Sequence, residues 1–405
     1  MNRLLLTLYL VLCSISLMPQ SKEYSRREAV DRFNELRSVA SSALSEEDYI
    51  LAEKHIGEGI AFYHSLPSAL QDKFEVIQAG NYYMLSRIYS LQQDKEKAIE
   101  NFTKAVDMGF TNYMYAMRDT AMDNIRSEKR FVALMDKIRP LGDYFYILKQ
   151  GGEYRTENDT PNRPLFVYEP ADSKPLQMVR DYFKLDSIAG NGDEISRIKN
   201  MMTWVHNAIP HTGNGWPVSE ITAIDIYNYS KANNNKSLNC EAIATVLNEC
   251  YLSMGFKSRI VSCRPKKEND MESHVINCVY STTLKKWLWM DATFNAYFTD
   301  EDGNLLSIAE VRQHLVDDKP LMLNKDANWN NKIPQTIESY VDNYMARFLY
   351  QFSCPLRSVF NSKSDYRDTD EEYMILVPVG HNAKDNTGGD YITHDAEYFW
   401  QAPDL

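Results

Sequence analysis

The feature that most constrains the fold is a change in hydrophobic period along the chain. From Glu46 to about Ile138, apolar residues recur at helical spacing and almost no Gly or Pro interrupts them, which predicts an all-α unit. Further on comes one long apolar helix, "KSLNCEAIATVLNECYLSMGF", followed by three β-rich stretches, "SRIVSC", "SHVINCVYS" and "KKWLWMDATF". An all-α helical hairpin domain followed by one helix packed on an antiparallel sheet is an α+β architecture.

The length of 405 residues is enough for two or three folded units. The stretch after Lys149, "GGEYRTENDTPNRPLFVYEPADSKP", is polar and rich in Gly and Pro, and therefore predicts a linker. A late stretch, "ESYVDNYMARFLYQF", predicts one more helix. We divide the chain into a signal peptide (1–20), a helical domain (22–145), a linker (146–175), a core (176–330) and a C-terminal extension packed on the core (331–405).

The N-terminus has the pattern of an export signal. Met-Asn-Arg is followed by "LLLTLYLVLCSISL", an apolar run that suits a signal peptide and is too short to span a membrane. We therefore expect an exported protein that is periplasmic, cell-surface or secreted. A lipid anchor at Cys13 is an alternative to a free mature form. No later stretch of the sequence predicts a transmembrane span.

The charge balance limits the class of partner. Lys and Arg number 44 against 56 Asp and Glu, giving a formal net charge of -12, and no Lys/Arg-rich run is present. This argues against nucleic acid and anionic membrane as partners, because both attract basic surfaces. We expect a peptide or protein substrate instead.

Six cysteines are present, and an odd number remains if Cys13 is removed with the signal, so at least one mature thiol is unpaired. Cys250 lies on the apolar stripe of its helix and is predicted to fill the core. Cys263 and Cys278 fall on two successive predicted strands, which leaves a cross-strand disulfide open. Cys354 has no predicted role.

Cys240 is the candidate nucleophile. A thiol attacks a carbonyl as the thiolate, so its pKa must be lowered. Asn239 is a favoured N-cap residue, which places Cys240 at the first helical position, where the helix dipole favours negative charge. His274 opens one predicted strand and Asp291 closes the next. If these strands are antiparallel neighbours, the two side chains meet at one end of the sheet.

That arrangement predicts a triad, with Cys240 as nucleophile, His274 as proton acceptor and later acid, and Asp291 orienting the imidazole. Taken singly, His274 and Asp291 would be ordinary strand-end residues.

Residues from about 195 to 315 resemble the transglutaminase-like superfamily, a circularly rearranged relative of papain-type cysteine proteases. In that family a cysteine opens a helix, a histidine starts a following strand and an aspartate ends the next, as Cys240, His274 and Asp291 do. The run "GFKSRIV" also suits the family pattern after the cysteine helix. The resemblance implies acyl transfer from amide bonds through a thioester on Cys240, without a cofactor, and with water ranked ahead of an amine as acceptor.

The resemblance also suggests an oxyanion-hole donor besides the backbone N–H of Cys240. Trp216 in "GNGWP" is the candidate, because an indole N–H upstream of the cysteine serves in some members of the superfamily. His206 and His211 flank the end of a predicted helix and are candidates for lining a cleft, but we expect both to be satisfied or exposed histidines.

Metal binding is not predicted. Asp300, Asp302 and Asn304 in "TDEDGN" resemble the start of a calcium loop, but Val311 stands where such a loop needs Glu. His394 and Asp395 lack the regular spacing of a metal site.

The helical domain contains one stretch that resembles a tetratricopeptide repeat, "AGNYYMLSRIYSLQQDKEKAIENFTKAVDMGF". The repeat positions are Tyr82, Leu85 and Tyr89 on one helix and Ala98, Phe102 and Ala105 on the next. Such a hairpin is either a peptide-binding groove or a packing domain. It supports a second hypothesis for the whole chain, a catalytically quiet binding or scaffold protein that captures a partner through this region.

Overall fold

The computed structural model describes residues 24–155, 164–215, 222–267, 270, 272–361, 372–381 and 391–404. The chain divides into two compact units, Met1–Arg139 and Pro140–Leu405. The predicted signal peptide, Cys13 and Trp216 lie outside the described residues.

The described part of the first unit is helical. Asp48 and Asp94 cap the second and fourth helices, since each side chain accepts a hydrogen bond from the backbone N–H three residues on. The helices are α1 (Arg26–Ser45), α2 (Tyr49–Ser65), α3 (Ser68–Leu91), α4 (Lys95–Asp107), α5 (Tyr113–Arg118) and α6 (Lys129–Gly142), the last of which runs across the unit boundary.

Helices α3 and α4 pack on each other, as the repeat pattern predicts. Phe102 is fully buried, and its ring stacks on that of Phe131 with centroids 4.9 Å apart. Ser86 Oγ donates to the carbonyl of Ala98 at 2.7 Å and joins the two helices directly. Tyr83 is buried between these helices, whereas the predicted Tyr82 is only partly buried and packs against the same cluster.

The second unit combines helices with a sheet. Its helices are α7 (Tyr144–Gln150), α8 (Lys174–Phe183), α9 (Leu185–Ala189), α10 (Glu194–Ala208), α11 (Ala223–Ala232), α12 (Cys240–Ser253), α13 (Ile308–Val316) and α14 (Ala396–Phe399). Two short irregular helical turns, Ile337–Asp342 and Met345–Phe348, lie in the C-terminal region. None of the helices within the described ranges is long and apolar enough to cross a membrane.

A six-stranded sheet forms the centre of this unit. The strands of the unit are β1 (Val167–Tyr168), β2 (Ser258–Arg264), β3 (His274–Ser281), β4 (Lys286–Met290), β5 (Phe298–Thr299), β6 (Met322–Leu323), β7 (Asn328–Trp329), β8 (Ile333–Pro334), β9 (Gln351–Pro355), β10 (Arg357–Ser358), β11 (Tyr373–Leu376) and β12 (Tyr391–Thr393). The sheet order is β12-β11-β9-β2-β3-β4. β12 runs parallel to β11, while every other neighbouring pair in this sheet is antiparallel. The sheet is therefore mixed, where the sequence predicted an antiparallel one.

The C-terminal region differs most from the sequence prediction. The stretch 338–352 was predicted to be one helix, but it forms two short turns and then enters β9. β9 pairs with β2 on one side and with β11 on the other, and all five of its residues are buried. Residues 331–405 thus supply half of the central sheet and are not an extension laid on a finished core.

Part of the predicted linker also belongs to the fold. Ile147 and Leu148 are buried in the core of the second unit, and Val167 and Tyr168 pair with β10. The described residues of 146–175 are therefore integrated in the second unit.

All five described cysteines are free thiols. Cys263 stands opposite His274 and Cys278 opposite Arg259 on the paired strands, so the open question of a cross-strand disulfide is answered against it. Cys250 fills the core as predicted, and Cys354 is buried on β9.

Candidate active site

Cys240 lies at the first position of α12, as the sequence predicted. Asn239 is the N-cap, and its side chain accepts a hydrogen bond from the backbone N–H of Ala242 at 3.0 Å. The Cys240 side chain is partly exposed and packs against a small cluster that includes Val275 of β3. Asn277 Nδ2 donates to the carbonyl of Ala244 at 3.0 Å, which ties the first turns of α12 to the strand that begins with His274.

The segment before Cys240 is held by a second, extended segment. The backbone of His211 forms a parallel bridge with Leu238, and the N–H of Asn239 donates to the carbonyl of Gly215 at 2.6 Å. A Cβ on Gly215 would lie 2.3 Å from the carbonyl oxygen of Ser237, so the close approach of these segments requires glycine. Two extended segments therefore fix the start of α12.

His274 and Asp291 are brought together by the β3–β4 hairpin. Asn277 is opposite Met290, so the start of β3 and the residue after β4 lie at the same end of the sheet. His274 Nε2 lies 2.7 Å from Asp291 Oδ2, and both side chains are fully buried. The structure therefore places Cys240, His274 and Asp291 around one point, in the arrangement that the sequence predicted.

Asp291 is surrounded by donors. Tyr340 Oη donates to Oδ2 at 2.5 Å, while the N–H groups of Thr293 and Phe294 donate to Oδ1 at 2.8 and 3.3 Å. Burial alone would raise the pKa of this carboxyl, but the charge of His274 and these hydrogen bonds lower it. Asp291 is consequently a carboxylate that holds one ring nitrogen of His274 in a fixed direction.

The other ring nitrogen of His274, Nδ1, faces Tyr344 and the Cys240 side chain. Nδ1 lies 3.0 Å from the hydroxyl oxygen of Tyr344, and the Cys240 side chain, which packs against Val275 next to His274, helps to raise the pKa of the imidazole. Since Nε2 is taken by Asp291, the Nδ1 edge is shared between Cys240 and Tyr344. Tyr344 therefore lies against the same edge of the imidazole as the thiol.

The environment favours an ion pair between Cys240 and His274. Burial raises the pKa of the Cys240 thiol, but hydrogen bonds from His211 and His274, and the charge of His274, outweigh burial and lower it to about 6. Burial disfavours a charged His274, but Asp291 reverses this effect and raises the pKa of the imidazole. Cys240 is therefore poised as a thiolate and His274 as an imidazolium at neutral pH.

The two neighbouring histidines differ from each other. His206 is buried, with Nδ1 2.9 Å from the Ala292 carbonyl and Nε2 3.0 Å from Asn328 Oδ1, so it is the satisfied histidine that the sequence predicted. His211 is partly exposed, and its Nδ1 accepts a hydrogen bond from Trp329 Nε1 at 3.0 Å, so it too is a satisfied histidine, but unlike His206 it lowers the pKa of the Cys240 thiol.

Three residues at the site had no signal in the sequence that identified them. Tyr340 and Tyr344 lie four positions apart in a stretch that was predicted to be a helix, and only the tertiary fold brings both to the His274–Asp291 pair. Trp329 reaches His211 from a short strand that was not predicted. Trp216, the predicted oxyanion donor, lies outside the described residues.

Metal ligation has no support in the described ranges, where no group of three or more His, Cys, Asp or Glu side chains is placed to hold an ion. In the stretch that resembles the start of a calcium loop, Asn304 Nδ2 donates a hydrogen bond to Asp300 Oδ2 at 2.9 Å within a turn.

Comparisons with known proteins give no relative for this chain. No family model matches the sequence, and neither a curated protein nor a solved structure matches significantly.

Proposed function

We propose that this protein is a cysteine-dependent acyl-transfer enzyme that acts on amide bonds of peptides or proteins. The observation that carries the proposal is the buried His274–Asp291 pair, joined at 2.7 Å, with the partly exposed Cys240 against its other edge. A nucleophile, a base and a group that orients the base are the minimum set for this chemistry. The sequence resemblance to the transglutaminase-like superfamily points the same way.

The proposed reaction begins with the Cys240 thiolate attacking the amide carbonyl. The Sγ–C bond forms, and the carbonyl electron pair moves onto oxygen. As this intermediate collapses, the C–N bond breaks and His274 gives its proton to the leaving nitrogen, which produces a thioester. Neutral His274 then takes a proton from the acceptor, which attacks the thioester and releases Cys240. Water ranks ahead of an amine as that acceptor.

We assign α12 and the sheet of the second unit to a transglutaminase-like, papain-related core, and the α3–α4 hairpin to a tetratricopeptide-like repeat. The N-terminal pattern supports an exported enzyme, located in the periplasm, at the cell surface or outside the cell.

A peptide-amide library tests the proposal. Intact-mass analysis should detect an acyl adduct on Cys240, and adding a primary amine separates hydrolysis from cross-linking by the mass of the product. Cys240→Ala should show neither adduct nor product, and His274→Ala should lose product formation. Turnover that persists in Cys240→Ala would refute the mechanism.

A second candidate function is partner capture by the helical unit. A cavity of about 130 Å³ opens between α1, α2 and α3 and is lined mainly by apolar side chains, including Phe33, Leu36, Ile56 and Met84. In this case the protein would bind a partner without turnover. Capture that is as tight in Cys240→Ala as in the wild type, combined with no adduct on Cys240, would favour this candidate.

A further inference from the structure

The backbone of His211 is held on two sides. Its backbone is bridged to Leu238, its N–H donates to Asn330 Oδ1 at 2.6 Å, and its carbonyl accepts from Asn330 Nδ2 at 3.0 Å. The backbone at this position is therefore fixed both to the segment that leads into Cys240 and to the loop after β7.

The ring of His211 is also oriented. Trp329 Nε1 lies 3.0 Å from His211 Nδ1. An indole nitrogen only donates, so Nδ1 must accept this hydrogen bond. In the neutral ring the proton is then on Nε2, and the tautomer is set by Trp329.

The oriented nitrogen points to the reactive sulfur. The bridge between His211 and Leu238 holds the histidine beside the segment that leads into Cys240, and His211 lowers the pKa of the Cys240 thiol; because Nδ1 is already used by Trp329, the nitrogen left to face the sulfur is Nε2. The ring of Phe294 lies near both histidines of the site, with its centroid 6.5 Å from that of His211 and 5.7 Å from that of His274. Cys240 thus has one histidine held by a carboxylate and another held by a neutral donor.

We propose that His211 is a catalytic residue whose neutral Nε2–H, together with the backbone N–H of Cys240, forms the oxyanion hole. This inference rests on the acyl-transfer function proposed above. It assigns to His211 the role that the sequence suggested for Trp216.

The hydrogen bond changes acceptor during the reaction. Before attack, Nε2–H donates to the Cys240 thiolate. When the Sγ–C bond forms, negative charge leaves sulfur and appears on the former carbonyl oxygen, and the donor then stabilises that oxygen. His211 transfers no proton, because the proton for the leaving nitrogen comes from His274. Trp329 is a positioning residue, since it acts only through the tautomer of His211.

Two chemical probes separate this role from general activation of the thiol. Iodoacetamide reacts with Cys240 by displacement at a saturated carbon and forms no oxyanion. A p-nitrophenyl ester acylates the same sulfur through a tetrahedral oxyanion. Both rates are measured against pH by peptide mass spectrometry. For each probe, the constant rate reached above the pKa of the thiol, called its plateau, is compared between the wild type and each variant.

In His211→Ala we expect the acylation plateau to fall about 100-fold, as is typical when an oxyanion donor is lost, while the alkylation plateau stays within about twofold. His211→Gln keeps an N–H donor and should retain most of the acylation plateau. His314→Ala removes a histidine that lies away from the site and bonds the Pro320 carbonyl, so both plateaus should be unchanged.

The outcomes distinguish the two proposals. Equal acylation plateaus in wild type and His211→Ala, with alkylation also unchanged, would overturn the role of His211 and leave the triad standing. An equal fall of both plateaus would likewise overturn it, because His211 would then act only on the thiol. Absence of acylation at Cys240 in the wild type would overturn both the acyl-transfer function and this inference.

Discussion

At the scale of single residues, the two histidines of the site differ because each has a different hydrogen-bond partner. His274 is fully buried, yet Asp291 lies 2.7 Å away and favours its charged form. His211 Nδ1 accepts from an indole N–H instead, which leaves Nε2 as the donor nitrogen of that ring. In the proposed mechanism, this difference lets His274 exchange protons while His211 only donates a hydrogen bond.

Asp291→Asn tests the first of these partnerships. The substitution removes the negative charge that stabilises the imidazolium, so the pKa of His274 should fall and the pKa of Cys240 should rise towards that of a free thiol. Turnover at neutral pH should drop by about 10² to 10⁴-fold. The pH profile of turnover measures this effect. An unchanged profile would show that Asp291 does not hold His274.

Residue types at the site were partly predictable. Cys240, His274 and Asp291 lie on elements that follow one another in the chain, so a local topology of helix and hairpin is enough to bring them together. Tyr340 and Tyr344 reach the same site only through long-range packing, and no local spacing encodes that.

At the scale of elements, local periodicity predicted α12 and its following strands well, but it failed for residues 338–352. The aromatic side chains of this stretch recur at helical spacing, but without a neighbouring strand the edge of β2 would be left unpaired. Pairing with β2 and β11 buries all of β9, and this tertiary gain overrides the local helical preference.

Glu249 connects α12 to α11, and its burial predicts that the stability of the fold depends on pH. The carboxylate is 1% exposed and accepts from the N–H groups of Ala223 and Asn361. Burial, together with Asp225 and Glu169, raises its pKa to about 7, although the two N–H donors oppose this. The folded state therefore binds more protons than the unfolded state, so this contribution is present at low pH and is lost as the pH rises to about 7.

We expect the free energy of unfolding of Glu249→Gln to depend less on pH than that of the wild type between about pH 4.5 and 7. Urea titrations across this range measure the difference in slope, whatever the absolute stability of the variant. Parallel pH curves for the two proteins would show that Glu249 does not titrate there.

Phe102→Ala tests the hairpin of the helical unit. Removing this fully buried ring, which stacks on Phe131, should cost about 3 to 5 kcal/mol in the free energy of unfolding of that unit. Val76→Ala is the matched control on α3, because Val76 is 77% exposed and should change stability by about 0.5 kcal/mol or less. A loss for Phe102→Ala as small as that control would contradict the packing.

At the scale of the whole molecule, the α+β class is confirmed, and the chain has two compact units as its length and period change indicate. The sequence could not show that the sheet of the second unit is completed by the end of the chain. Its strands are separated by long segments, and β-strand pairing over such distances leaves no local pattern.

A chain that stops at residue 330 should therefore fail to fold its second unit. The truncation removes β9, β11 and β12, which are half of the central sheet, and leaves β2 with an exposed edge. Circular dichroism and thermal melting should show loss of the cooperative transition of that unit. A chain lacking only residues 1–20 serves as the control, and a truncated chain that melts like this control would contradict the sheet topology.

The central claim is that Cys240 and His274 form a working ion pair. The most direct measurement is the rate of iodoacetamide alkylation at Cys240 against pH, read by peptide mass spectrometry in the wild type and in His274→Ala. We predict a thiolate that forms with a midpoint near pH 6 in the wild type and is lost in the variant. Reactivity that follows an ordinary thiol near pH 8.5 in both proteins would contradict the account.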